Sequence, residues 1–215
     1  MGEKLRMESS LKDGNRLALY LVMVANLGFF YMVAENNALL TGRWFDVLRN
    51  ASAALPAGIG LILTGVLNAQ LSAEMKFRIV FMRWRNPLPG CEAFSHYAKR
   101  DLRIDLSAIE RLCGLLPENP QEQNALWYKL YKSIDSDPSV IQVHRSFLFT
   151  RDFACLALML SVVLGIIGFV QIPSKGVSVV YFFALILQFL VASQAARNHG
   201  KRFVTTVLAI KAATS

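Results

Sequence analysis

KFRIVFMRWRNPLPGCEAFSHYAKRDLRID, residues 76–105, opens the stretch that decides how this chain is organised. It begins a polar segment that runs on to Asp152 and holds 21 of the chain's 38 charged residues. Turn and cap signals crowd it: RNPLPG at 85–90, RIDLSAIE at 103–110, LPENPQEQNALWY at 116–128 and SDPSV at 136–140. On either side the sequence changes character. Four windows without Asp, Glu, Lys, Arg or His flank the segment, two before it and two after it. A polar insert between two apolar pairs is the pattern of an all-α membrane protein, with four transmembrane helices in two hairpins and a cytoplasmic helical insert between helices 2 and 3.

Working outward, the first window is Leu17–Ala34, with one amide, Asn26. Eighteen residues just suffice for a hydrocarbon core of about 30 Å. Glu35-Asn36-Asn37 follows where a signal peptide would carry a small-residue cleavage site, so the window reads as an uncleaved membrane helix. Arg6 occupies the place where N-myristoylation requires Ser or Thr. The connection Glu35–Ala51 offers Arg43, Trp44 and Arg49 as interface anchors. The second window, from Ala53 to about Ala73, is rich in small residues: Ala54, Gly58, Gly60, Thr64 and Gly65 form a candidate helix-association face. Small residues four apart let a second backbone approach closely, although membrane helices also tolerate glycine without using it. The third window is Phe153–Gln171, the fourth Val177–Ala196, and the tight turn Gln171–Gly176 joins them. The expected organisation is an N-terminal arm (1–16), a first hairpin (17–75), the insert (76–152), a second hairpin (153–196) and a basic tail (197–215).

Charge then orients the chain. The arm, insert and tail hold 20 Lys and Arg, and the two hairpin connections hold three: Arg43, Arg49 and Lys175. The positive-inside rule places both termini and the insert in the cytoplasm, as in a multi-pass protein of a bacterial inner membrane. It also accounts for the net charge of +8 without nucleic acid. The insert itself has nine acids against twelve bases, which makes no large basic face.

Within the insert, Phe77, Val80, Phe81 and Trp84 fall on one helical stripe, which extends the second helix beyond the bilayer as far as Asn86-Pro87. Arg78 and Arg85, seven apart, share another face of it. Lys76, Arg78, Arg83 and Arg85 form a basic cluster with no acid between Glu74 and Glu92, and with Trp84 they make a candidate contact for headgroups or a partner. Cys91–Lys99 is a short helical candidate. Asp105 or Ser107 can cap the next helix, Ser107 and Glu110 having capping-box spacing, with Leu106, Ile109, Cys113 and Leu116 on one face. Asn119-Pro120 starts a helix through Ile134 whose stripe is Trp127, Leu130, Tyr131 and Ile134, read as core. Asp137-Pro138 starts another that enters the third window without interruption.

Chemistry-bearing residues are sparse. Cys91, Cys113 and Cys155 show no CxxC spacing, and Cys155 lies in an apolar window, which excludes a disulfide framework or a zinc site as the organising feature. His96, His144 and His199 have no metal-ligand spacing. Cys91 with His96 is the one conceivable nucleophile and base pair, and no catalytic or nucleotide motif accompanies it. The expectation is a non-enzyme without cofactor or metal. Within the windows the polar groups are amides: Asn26, Asn68, Gln70, Gln188 and Gln194, with Gln171 at an edge. Ion-coupled carriers need intramembrane ionisable groups, so amides here serve as interhelical hydrogen bonds or line a wet path in a multimer.

RNPLPGCEAFSHYAKRDLRID (85–105), LPENPQEQNALWYKLY (116–131) and PSVIQVHRSFLFTRD (138–152), the last leading into a membrane helix, together resemble a family of small bacterial membrane proteins. Its members sit among anti-phage defence genes, including retron-type systems whose toxic component is a membrane protein. The resemblance covers roughly 84–152 and the flanking helices. It implies an effector held silent until infection, which then damages the inner membrane; it brings no catalytic residues. The expected partners are the lipid bilayer, further copies of the chain, and a cytoplasmic regulatory protein or ribonucleoprotein. A passive anchor that recruits a cytoplasmic partner through the insert is the alternative, and a membrane enzyme using Cys91, His96 or His144 is the third reading.

Overall fold

The computed structural model describes residues 2–35 and 55–214, with residues 2–14 described by backbone alone. Every regular element among the described residues is helical. In order they are α1 (Gly2–Ala34), α2 (Leu55–Gln70), α3 (Ala73–Phe81), a 3-10 turn (Pro89–Glu92), a π-helix (Ala93–Ala98), α4 (Leu106–Cys113), α5 (Pro120–Lys132), α6 (Pro138–Gln171) and α7 (Lys175–Ala213). Three helices are long and apolar enough to cross a membrane: Asn15–Ala34 of α1, α6 and α7. A fourth span exists if α2 and α3, which meet that standard only as a broken pair, are counted as one. The proposed anchors Arg43, Trp44 and Arg49, and Ala54 of the association face, lie outside the described residues.

The chain divides into two compact units: Met1–Leu71 with Asp152–Ala192, and Ser72–Arg151 with Ser193–Ser215. The first unit packs α1, α2 and the adjoining parts of α6 and α7 around Phe30, Ala57, Leu61, Leu156, Leu160, Leu164, Ile172, Tyr181 and Leu185. In lipid, apolar burial gives little transfer gain, so such a unit holds together by close packing and a few hydrogen bonds. Glycine supplies the closeness: a Cβ at Gly165 would stand 2.8 Å from the Phe182 ring. Ser161 supplies a bond, its hydroxyl donating to the Leu185 carbonyl across the helix pair at 3.0 Å. The anticipated amide links are not what joins the helices at Asn26, whose side-chain N–H donates to Val22 of its own helix at 2.9 Å.

The second unit is built on conventional caps. Asn119 accepts from the Gln121 and Glu122 amides at the start of α5, with Pro120 at the first helical position. Asp137 does the same for Ser139 and Val140 in α6. For α4 the cap is Asp105, which accepts from Ser107 N–H at 2.9 Å. Ser107 therefore lies inside the helix, and the Ser107–Glu110 capping box does not form. The core gathers Ile109 of α4, Trp127, Leu130 and Tyr131 of α5, and Val140, Val143 and Phe147 of α6.

Two expectations are corrected here. The second membrane helix does not run on to Trp84. It stops at Gln70, and Ser72 caps a new helix by accepting from Met75 N–H, so α3 begins afresh and ends at Phe81. A side-chain acceptor placed just before Ala73-Glu74 out-competes helix continuation. The basic segment 197–215 is not a separate tail, because α7 continues unbroken to Ala213 and puts Phe203, Val204, Val207 and Leu208 into the second unit's core. Those four positions share a helical face, a stripe that the surrounding lysines and arginines hide from a reading based on charge.

Candidate functional site

On α2, Ala57, Gly60, Leu61, Thr64 and Asn68 are buried within the chain, and of these Gly60 and Thr64 belong to the expected association face. At Gly60 a Cβ would meet Val163 at 2.8 Å and Ile167 at 3.1 Å, so this glycine seats α2 against α6. Thr64 donates to the Gly60 carbonyl at 2.7 Å, which satisfies its hydroxyl inside its own helix. Gly65 faces α1, where a Cβ would lie 3.1 Å from the Met23 methyl. Of the described members of that face, Gly58 is the bare one, with nothing among the described residues within 4 Å of the position its Cβ would take. The small residues thus differ in a way that spacing could not separate: Gly60 and Thr64 are packed inside the first unit, and Gly58 is open among the described residues.

Gly58 and Gly65 lie in the wall of an apolar groove of about 670 Å³ between α1 and α2, lined also by Tyr20, Val24, Ile59 and Ile62. The α2 lining takes in positions 55, 58, 59, 61, 62, 65, 66 and 69, and within it 55, 58, 62, 65 and 69 repeat at alternating steps of three and four, the spacing of a helix-packing seam. Polar groups buried in this unit, among them Asn26, Thr64, Asn68, Ser161 and Ser178, are uncharged. The Asn68 carbonyl oxygen has no hydrogen-bond partner among the described residues.

The basic cluster is differently arranged from its sequence image. Lys76 is buried. Arg78 pairs with Glu74 one turn earlier at 2.6 Å, and Arg83 pairs with Glu92. The two acids that bound the acid-free interval are therefore the ones that partly neutralise it. Because α3 ends at Phe81, Arg78 and Arg85 do not share a helix face, and Trp84 leaves the stripe on which Phe77 and Phe81 pack. Met82 closes the helix in the left-handed region, φ 52°, and Asn86 repeats that conformation at φ 51°. Left-handed backbone costs a residue with a Cβ about 1–2 kcal/mol. Here it is held in place: Arg197 donates from Nε to the Val80 carbonyl at 2.7 Å, and Gln121 donates to the Asn86 side chain at 2.8 Å. Between these braces Trp84 stands 77% exposed, with the Arg78 guanidinium 5.9 Å from its ring centre.

Behind the turn, Cys91 is buried among apolar groups that push its thiol pKa up, which suppresses the nucleophilic thiolate. The segment Cys91–Lys99 is not an α-helix: a 3-10 turn leads into the π-helix Ala93–Ala98. A single buried amide organises it. Gln123 of α5 accepts from Phe94 N–H, Ser95 N–H and the Ser95 hydroxyl, each at 3.1 Å, and donates to the Glu118 carbonyl. Tyr97 on this π-helix is pushed up to about 12, by burial first and by the nearby Glu92 charge second. His144 stacks on Phe203 at 4.7 Å and meets the Tyr131 hydroxyl at 3.3 Å, a structural setting away from Cys91's cluster in sequence. Sequence reasoning missed Gln123, Arg197 and Phe203. A lone glutamine carries no pattern, whereas the 203–208 stripe was present to be found.

No known family model, characterised protein or solved structure matches the chain.

Proposed function

We propose that this chain is an inner-membrane effector of bacterial anti-phage defence, a non-enzyme that self-associates through its spanning unit and permeabilises the bilayer on a cytoplasmic signal. The observation that carries the reading is the apolar groove with Gly58 bare in its wall. In lipid, helices associate by close packing, and a removed side chain with no neighbour of its own is space for another helix. The uncharged character of the buried polar groups suits a leak better than an ion-coupled carrier. Both α6 and α7 belong to both units, so an inhibitory protein or ribonucleoprotein bound to the second unit has a covalent route to the spans. Four spans in two hairpins, with termini and insert cytoplasmic, complete the reading on the 20-to-3 basic asymmetry. Reporter fusions at Ser215 and within 118–123 test the orientation; a periplasmic signal from either overturns it.

Gly58→Leu tests the association. The variant is expected to be made and inserted normally and to lose membrane depolarisation at matched expression. Unchanged depolarisation removes the groove from the mechanism. The second reading, a passive anchor, draws on Leu102 and Leu115, which are 103% and 97% exposed in the second unit and offer apolar contacts to a soluble partner. A wild-type chain that never depolarises cells, with its partner removed, selects that reading.

A further inference from the structure

We infer that the turn 82–86 is a binding site for anionic phospholipid headgroups, with Trp84 as the inserted group and Arg85 and Arg78 as the charges beside it. This inference requires only that the chain be membrane-inserted, so it stands or falls separately from self-association.

Three observations point the same way. Trp84 and Met82 are 77% and 54% exposed in a unit that buries its other described tryptophan, Trp127, to 5% exposure. The exposure is built in, because two left-handed non-glycine residues bracket the turn and bonds from α7 and α5 brace both of its ends. The local charge is also selective. Arg83 turns to Glu92 and Lys76 is buried, whereas Arg78, though paired with Glu74, keeps its guanidinium over the indole, and the exposed Arg85 follows Trp84 in sequence. An exposed indole with a cation over its face and a second arginine next in the chain fits the headgroup level of an anionic bilayer, where tryptophan partitions and basic residues gain from the surface potential. The turn directly follows α2 and α3, which together count as a candidate membrane span when the broken pair is taken as one. The five-residue cluster visible in the sequence thereby reduces to three contacts.

The test uses the full chain in nanodiscs of phosphatidylcholine, with or without phosphatidylglycerol. Emission of Trp84 is taken as the difference between wild type and Trp84→Phe. With phosphatidylglycerol present, that emission is expected to be quenched by lipids brominated near the headgroup and shielded from acrylamide in the water. Arg85→Gln is expected to raise the phosphatidylglycerol needed for half-maximal quenching about fivefold. The inference is overturned if Trp84 stays open to acrylamide and unquenched in both bilayers, or if quenching is equal in pure phosphatidylcholine. Shielding that appears only on adding an oligonucleotide overturns it too, in favour of a nucleic-acid site.

Discussion

Along α7, Val180, Phe183, Leu187 and Val191 are exposed in the first unit, while Phe203, Val204, Val207 and Leu208 are buried in the second. Lys201 and Arg202 take the outside there. One uninterrupted helix therefore turns apolar side chains outward in one unit and inward in the other. The first unit keeps itself together with glycine contacts and a serine bond, and leaves large apolar side chains outward for lipid. The second withdraws aromatic surface from water and satisfies its polar backbone with Gln123, Asp105, Asn119 and Asp137. The difference teaches that burial drives folding in only one of the two units.

The largest effect should come from the centre of the water-facing core. Phe203 touches Trp127, Tyr131, His144 and Phe147. Phe203→Ala should cost the second unit about 3–5 kcal/mol. Peptide-resolved hydrogen exchange in nanodiscs should show lost protection over 120–132 and unchanged protection over 156–170; uniform loss would break the division into units. Next comes the lipid-facing side. Gly60→Leu forces a side chain onto Val163 and Ile167, at about 1–3 kcal/mol. At Gly58 the added Cβ meets nothing among the described residues, and Gly58→Leu should fall within about 0.5 kcal/mol. Thermal unfolding of the two variants in detergent should rank them in that order, and equal losses would refute the distinction between the two glycines.

How much of this was legible follows from the same contrast. Helix starts were readable because their signals are local: Asn119-Pro120 and Asp137-Pro138 cap where they stand. The stripe Trp127, Leu130 and Tyr131 was readable because one face of α5 is wet. The break at Leu71–Ser72 was not, since an apolar helix continuing through Phe77 and Phe81 has the same periodicity as one that restarts. Nor could spacing assign Gly60 and Gly65 to different neighbours, because that depends on where α6 and α1 lie. The pair Arg83–Glu92 and the buried Gln123 arise from chain segments that periodicity does not relate.

A smaller effect separates the units by pH. Tyr97 keeps its proton to about 12 in the folded chain, against about 10 when unfolded. A raised acid favours the folded state, so this contribution is complete below pH 10 and is lost as pH rises toward 12. It amounts to something on the order of 1 kcal/mol. Exchange protection over 93–98 should weaken across that window in wild type and be flatter in Tyr97→Phe; identical profiles would remove Tyr97 as the cause. The smallest effect is expected at Arg78, whose pairing with Glu74 is solvent-exposed. Arg78→Ala should shift the second unit's stability by less than about 0.5 kcal/mol, and a loss well above that in urea titration would mean the pair carries more than screened surface charge.

The continuity of α7 through both units also sets an order of events during synthesis. The aromatic cluster of the second unit waits for Phe203, Val204 and Val207, which leave the ribosome after the whole of 152–192. Trp127 and Tyr131 are made early but cannot be covered until the last apolar segment has been delivered to the bilayer. Closing a core across so long a separation is slow, because the chain's freedom is lost before the contacts reward it. Membrane insertion is thereby a step on the folding path of the polar unit, and a nascent chain stalled at the membrane would display that aromatic surface to whatever chaperone is near.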